Sequence, residues 1–197
     1  MTHPIYIVAF TGHRSSTAPG RSREELEKCR PLIREAILHV QSAVAKLGGS
    51  IQLMASAAEG ADTIALEVAR DLKIPIHIIL PLPIEQFAED FRDRRQTWEA
   101  TKNLIDFAKS GTNQSSLSFA KSQHIRPDCY SATNNQILAS ADALIALWNE
   151  EPAQGSGGTA QLWQSAADKR IARIHINPTK LNSTCLDFDR IEPQKNL

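Results

Sequence analysis

Cysteine is scarce in this chain of 197 residues, with only Cys29, Cys129 and Cys185, far apart and in no C-x-x-C pattern. That spacing excludes a disulfide framework and a cysteine zinc site, and it fits a reducing compartment. Net charge is absent too, since 22 basic residues cancel 22 acidic ones. Attraction to nucleic acid or to a membrane through bulk charge is thereby excluded, although a local basic patch is not. No apolar run approaches the roughly 18 residues needed to span a bilayer. The best candidate, Ile74 to Ile84, is short and interrupted by prolines and a histidine. The apolar start Ile5–Phe10 has no basic residues before it, as a signal peptide would. The expectation is a soluble, cytoplasmic protein.

What is present is an ordinary globular composition, 42% hydrophobic and 22% charged. Short apolar runs alternate with helical patterns. The runs are Ile5–Phe10, Ile51–Ala55, Ile74–Leu80, Ala143–Trp148 and Arg173–Asn177. Near-continuous apolar strands suit a parallel sheet covered on both faces. Ser22-Arg23-Glu24-Glu25 reads as a capping box ahead of a helix that ends at Gly48-Gly49, with Pro31 imposing a kink or a late start. Further helices are expected at about Glu59 to Leu72, Arg94 to Ala108 and Gly158 to Arg170. Lys109 to Pro127 reads as a long loop or lid. The segment after Pro178 reads as an added strand with a polar end. The fold class expected is α/β: a single Rossmann-like, doubly wound, mainly parallel sheet with helices on both faces. Residues 1–197 read as one domain, with a core of about 5–177 and a C-terminal extension over 178–197.

In such a sheet ligands bind beyond the carboxyl ends of the strands, where strand order reverses. Three loops leave that edge. Thr11-Gly12-His13-Arg14 follows the first strand; Gly12 lets the backbone approach a ligand, and Arg14 offers a planar fork for phosphate or carboxylate, or is a solvated turn residue. Ser56-Ala57-Ala58-Glu59-Gly60-Ala61-Asp62 follows the second strand and opens a helix, whose N-terminus favours an anion. Glu59 and Asp62 either complement the helix dipole or accept from a ribose hydroxyl or base. Trp148, Gly157, Gly158 and Thr159 follow the Ala143 strand. The glycines before a helix form a phosphate cradle, and Trp148 either stacks on a base or completes the core. The cradle lacks the Lys-Ser/Thr of a Walker loop, and no G-x-G-x-x-G follows the first strand. The run Asp90, Arg92, Asp93, Arg94 and Arg95 reads as a solvated helix start or as a second phosphate or subunit contact. The six histidines show no H-x-x-x-H spacing, so no metal and no cofactor is called for. No G-x-S-x-G elbow is present.

Thr11-Gly12-His13-Arg14, Ala58-Glu59-Gly60-Ala61-Asp62, Leu80-Pro81-Leu82-Pro83 with Asp90-Phe91, and Ala141–Trp148 followed by Gly157-Gly158-Thr159-Ala160 together resemble the SLOG superfamily. This Rossmann-like group is named after DNA-processing protein A and the Lonely Guy proteins. The resemblance spans Ile5 to Asn177, and is greatest to the sensor-like bacterial branch. It implies a nucleotide-derived ligand, such as an ADP-ribose-like or cyclic nucleotide signal. It also implies homo-oligomers and an effector domain or protein of antiphage type.

Lonely Guy enzymes carry P-G-G-x-G-T-x-x-E with a catalytic glutamate. Aligning its Gly-Thr on Gly158-Thr159 puts Leu162 in the glutamate's place, and a leucine cannot serve as acid or base. A phosphoribohydrolase-like N-glycosidase would therefore need Glu59 as its carboxylate. A third class, single-stranded DNA binding, lacks the expected stripe of basic and aromatic residues.

Overall fold

The computed structural model describes residues 3–16, 18, 20–92, 94–121, 126–151, 158–188 and 191. Its strands are β1 (Ile5–Gly12), β2 (Ser50–Ala55), β3 (Ile76–Leu80), β4 (Ser116–Phe119), β5 (Ala143–Leu147), β6 (Ala172–Asn177) and β7 (Asn182–Leu186). They form one sheet in the order β4-β3-β2-β1-β5-β6-β7, so β1 is central. The first six strands are mutually parallel, and β7 returns antiparallel beside β6. The chain works outward from β1 to β4 in one direction, then crosses back to β5 on the other side of β1. The strand order reverses between β1 and β5.

The helices are α1 (Arg23–Lys28), α2 (Arg30–Lys46), α3 (Ala61–Asp71), α4 (Ile84–Phe87), α5 (Arg95–Lys109), α6 (Arg126–Ala139) and α7 (Thr159–Asp168). They divide between the two faces. Val8 and Phe10 of β1 pack with Ile33 and Ile37 of α2, Ile64 of α3 and Leu104 of α5. Ala9, one residue out of phase, packs on the other face with Ile137 and Leu138 of α6 and Ala166 of α7. Successive side chains of a strand point to opposite faces, so a strand covered on both has no polar position. The doubly wound α/β fold expected from the apolar runs is the one observed.

Local signals act as expected at the first helices. The Ser22 hydroxyl accepts from the Glu25 N–H at 3.2 Å, and the Glu25 carboxylate accepts from the Ser22 N–H at 3.0 Å. Pro31 falls in the first turn of α2, where its missing N–H has no intrahelical partner to lose, and the chain breaks at Cys29 between two helices. Lys109 to Pro127 is different from the expected loop. It holds the edge strand β4, paired with β3 from His77–Ser116 to Leu80–Phe119, and α6 begins at its end. Ser116 and Ser118 both turn toward His77, whose ring nitrogens lie 3.1 and 2.7 Å from their hydroxyls. An edge strand with such polar positions carries no apolar run to betray it. Among the described residues no helix is long and apolar enough to cross a membrane.

Candidate functional site at the strand switch point

Because β1, β2, β3 and β5 are parallel, the loops after Gly12, Ala55, Leu80 and Leu147 leave from one edge. The β1 loop is threaded between its neighbours. The His13 N–H donates to the Leu147 carbonyl at 3.1 Å, and the His13 carbonyl accepts from the Ala61 N–H at 3.0 Å. A Cβ on Gly12 would lie 2.4 Å from that of Ala61, so only glycine allows α3 to start this close to β1. Gly60 meets the same loop from the other side, with φ +111 and His13 O only 2.6 Å from where a Cβ would stand. Both glycines therefore serve the packing of loop on loop.

The two acids of the β2 loop are buried and turned inward. Asp62 accepts from the Ser56 hydroxyl at 2.7 Å, and also from the Ser56 and Ala58 N–H groups. Burial pushes its carboxyl up to about 6, against the pull of those hydrogen bonds and of the Arg14 charge. Glu59 accepts from the Ser15 N–H at 3.2 Å, from the Ser15 hydroxyl, and from Arg94 Nη1 at 2.7 Å. Arg14 leaves the loop outward, its guanidinium 4.8 Å over the Tyr130 ring and 3.7 Å from Asp90. Arg14, Ala58, Glu59, Phe87, Asp90, Phe91 and Arg94 surround a cleft whose free interior of about 20 Å³ has room for one water.

Across the switch point, Thr159 opens α7 with its Oγ1 3.3 Å from Thr11 Oγ1. Gly158 precedes it at the cap position with extended backbone, φ −78 and ψ 168, and as a glycine it has no side chain to cap the helix. Gly157, with the rest of 152–157, lies outside the described residues. His13 Nε2 lies 2.9 Å from Asn149 Oδ1 and 3.0 Å from the Asn149 backbone nitrogen, and burial lowers its pKa, which favours the neutral ring. Trp148 is half-buried, its ring 5.8 Å edge-on from that of His175, whose Nε2 donates to the Trp148 carbonyl at 2.9 Å. Leu162 is 3% exposed and packed in the fold. Among the described residues no group of three or more His, Cys, Asp or Glu side chains is placed to hold a metal.

Thr11, Gly12, Gly158 and Thr159 are thus brought together at the switch point, with His13 and Trp148 beside them. Arg14, Ala58 and Glu59 line the adjoining cleft. Ser56, Gly60 and Asp62 brace the loop behind it. Sequence reasoning does not single out Ser15, Asn149 or Tyr130, which contact Glu59, His13 and Arg14. Ser15 and Asn149 adjoin the motifs without belonging to them, and Tyr130 lies on α6, a helix with no clear apolar stripe in the sequence.

No family model and no curated protein matches this chain. Among solved structures, DNA processing protein A (DprA) from Streptococcus pneumoniae superposes with a TM-score of 0.52 at 14% identity, covering 87% of this chain and 50% of that one. The chain thus spans half the length of that protein. A molybdenum cofactor binding protein from the phototrophic bacterium Rippkaea orientalis superposes with a TM-score of 0.43 at 18% identity, over 90% of this chain and 78% of that one. The sheet order and the reversal at β1/β5 define a Rossmann-like α/β domain. Within that class, the fold is similar to that of DprA over 87% of this chain.

Proposed function

We propose that this chain is a ligand-binding sensor domain for a phosphorylated, nucleotide-derived small molecule of the ADP-ribose-like or cyclic type. The observation that carries the reading is the meeting of Thr11 and Thr159 at the β1/β5 reversal, where α7 begins behind Gly158, a cap residue with no side chain of its own. Two hydroxyls and the first amides of a helix offer a phosphate hydrogen bonds at the positive end of the helix dipole. His13, a neutral ring anchored to Asn149, and Trp148 flank the position where a sugar or base would lie. The first expected contacts are Thr11, Gly12, His13, Arg14, Trp148, Gly157, Gly158 and Thr159, with Ala58 and Glu59 on the cleft side.

Sensing is favoured over N-glycosidic hydrolysis by the state of the carboxylates. Hydrolysis needs a carboxylate near the anomeric carbon. Glu59 is held by Ser15 and Arg94, Asp62 by its own loop, and Leu162 is packed in the fold. Single-stranded DNA binding would rest on the likeness to DprA, which at 14% identity extends to the fold alone. Coupling to an antiphage-type effector and homo-oligomer formation follow from the SLOG resemblance and belong to this proposal.

The test is titration calorimetry with ADP, ADP-ribose and cyclic AMP, alongside chromatography for free base after long incubation. Binding without base release is expected. Release of base would convert the reading to a hydrolase, and binding of labelled single strands with no nucleotide affinity would convert it to a DNA binder.

A further inference from the structure

Two arginines from separate segments face one cleft, and the nucleotide reading uses only the first. Arg14 leaves β1 and Arg94 directly precedes α5; their side chains are 51% and 47% exposed. Each guanidinium faces a carboxylate of the cleft, Arg94 in a close ion pair and Arg14 in a looser one. Arg94 Nη1 donates to Glu59 at 2.7 Å, and Glu59 is itself fixed by Ser15. Arg14 lies 3.7 Å from Asp90 and on the face of Tyr130, whose hydroxyl donates to the same Asp90 oxygen. The forks are therefore oriented from within, while about half of each side chain is turned to solvent at the mouth.

The cleft interior, about 20 Å³, is too small for a phosphate, so an anion must lie across the mouth against the outer faces of the forks. The two cations and two carboxylates cancel in formal charge. A single phosphate gains little from the net field there, and geometry decides what binds. A guanidinium presents several N–H donors in a plane and matches one phosphoryl group. Two forks lining one cleft match two linked phosphoryl groups.

We propose that Arg14 and Arg94 form a clamp for a diphosphate group, with Glu59, Asp90 and Tyr130 as positioning residues. The identity of the rest of the ligand rests on the nucleotide reading; the clamp itself does not. Its consequence is specificity: a ligand with a diphosphate is preferred to the matching monophosphate.

Calorimetry with ADP against AMP, and with inorganic pyrophosphate against orthophosphate, tests this. Wild type should prefer ADP to AMP and pyrophosphate to orthophosphate by about tenfold or more, as expected for one added charge-assisted fork. Arg94→Ala should bring both ratios close to one. Because that change also strips Glu59 of a partner, Arg94→Lys is measured beside it with a thermal melt. Lysine keeps the charge near Glu59 but lacks the fork, so the midpoint should hold while the ratios fall several-fold. Pyrophosphate preference without any nucleotide binding upholds the clamp and overturns the nucleotide reading. Nucleotide binding with equal affinity for ADP and AMP overturns the clamp alone. Ratios unchanged in a folded Arg94→Lys protein also overturn it, and no binding of any of the four overturns both.

Discussion

The hydroxyl oxygens of Thr11 and Thr159 lie 3.3 Å apart although 148 positions separate them in sequence. This contact joins the end of the central strand to the first residue of α7 at the point where the strand order reverses. A neutral, partly buried hydrogen bond of this kind contributes about 0.5–1.5 kcal/mol to stability. Thr159→Val should therefore lower the thermal midpoint only slightly. If the hydroxyls receive a phosphate, the same change should weaken nucleotide binding about tenfold or more. Calorimetry on the folded variant separates the two effects, and undiminished affinity would remove Thr159 from the site.

Asp62 gives the fold a distinctive pH dependence. Burial raises its folded-state pKa from 3.8 to about 6, so between those values the native state holds a proton that the unfolded chain has lost. The contribution is present in full below about pH 4 and is lost as pH rises to about 6, on the order of 2–3 kcal/mol for a shift of this size. His13 acts in the opposite sense. Its lowered pKa favours the neutral ring, and that contribution is lost as pH falls below 6.5. Asp62→Asn keeps the shape of the side chain and removes the titration. Urea unfolding from pH 4 to 6.5 should show wild type losing stability relative to Asp62→Asn as pH rises. Parallel curves would mean that Asp62 titrates normally.

The legible and the hidden parts of this chain divide along physical lines. β1, β3 and β5 announced themselves because both faces are covered and nearly every position had to be apolar, all of them in Ala143–Leu147. The capping box at Ser22 and the proline at 31 marked helix starts by local chemistry alone. β4 and α6 were silent: the strand lies at an edge, and the helix carries Ser131, Asn134, Asn135 and Gln136 among its apolar positions. Glycines mark the loops where backbones pass close together, as at Gly12 against Ala61 and Gly60 against His13. The partners did not show. Ser15 and Tyr130 meet Glu59 and Arg14 only through tertiary packing, which no spacing along the chain encodes.

Arg14 is the side chain whose loss should separate binding from folding most cleanly. It is half exposed, and its ion pair with Asp90 at 3.7 Å is too open and solvated to add much to stability. Arg14→Ala should leave the urea midpoint nearly unchanged while weakening nucleotide binding tens-fold, the effect of losing a charge-assisted contact worth about 1.5–3 kcal/mol. Arg14→Lys should restore only part of the affinity, since lysine lacks both the fork and the planar stacking on Tyr130. Equal affinities for the wild type and Arg14→Ala in calorimetry would sink the assignment.

Gly60 and Gly158 should respond in opposite ways to an added side chain, although both precede a helix at the same edge. Gly60 has φ +111, and a Cβ there would stand 2.6 Å from His13 O, 2.8 Å from Ser15 N and 3.1 Å from the Arg14 carbonyl carbon. All three are backbone atoms, which cannot turn aside as a side chain does. Gly60→Ala must therefore push the β1 loop off α3, breaking the Ala61 to His13 hydrogen bond, and should cost several kcal/mol. Gly158 instead has φ −78 and ψ 168, extended backbone that any residue adopts. Gly158→Val imposes no such strain, so its ligand-free thermal midpoint should stay close to wild type. If a phosphate is cradled at the start of α7, the valine blocks its approach and binding should be abolished. Added nucleotide would then raise the midpoint of wild type and leave that of Gly158→Val where it was, since only a ligand bound to the native state shifts unfolding. A Gly158→Val protein stabilised by nucleotide as strongly as wild type would show that the turn is only a connection between β5 and α7.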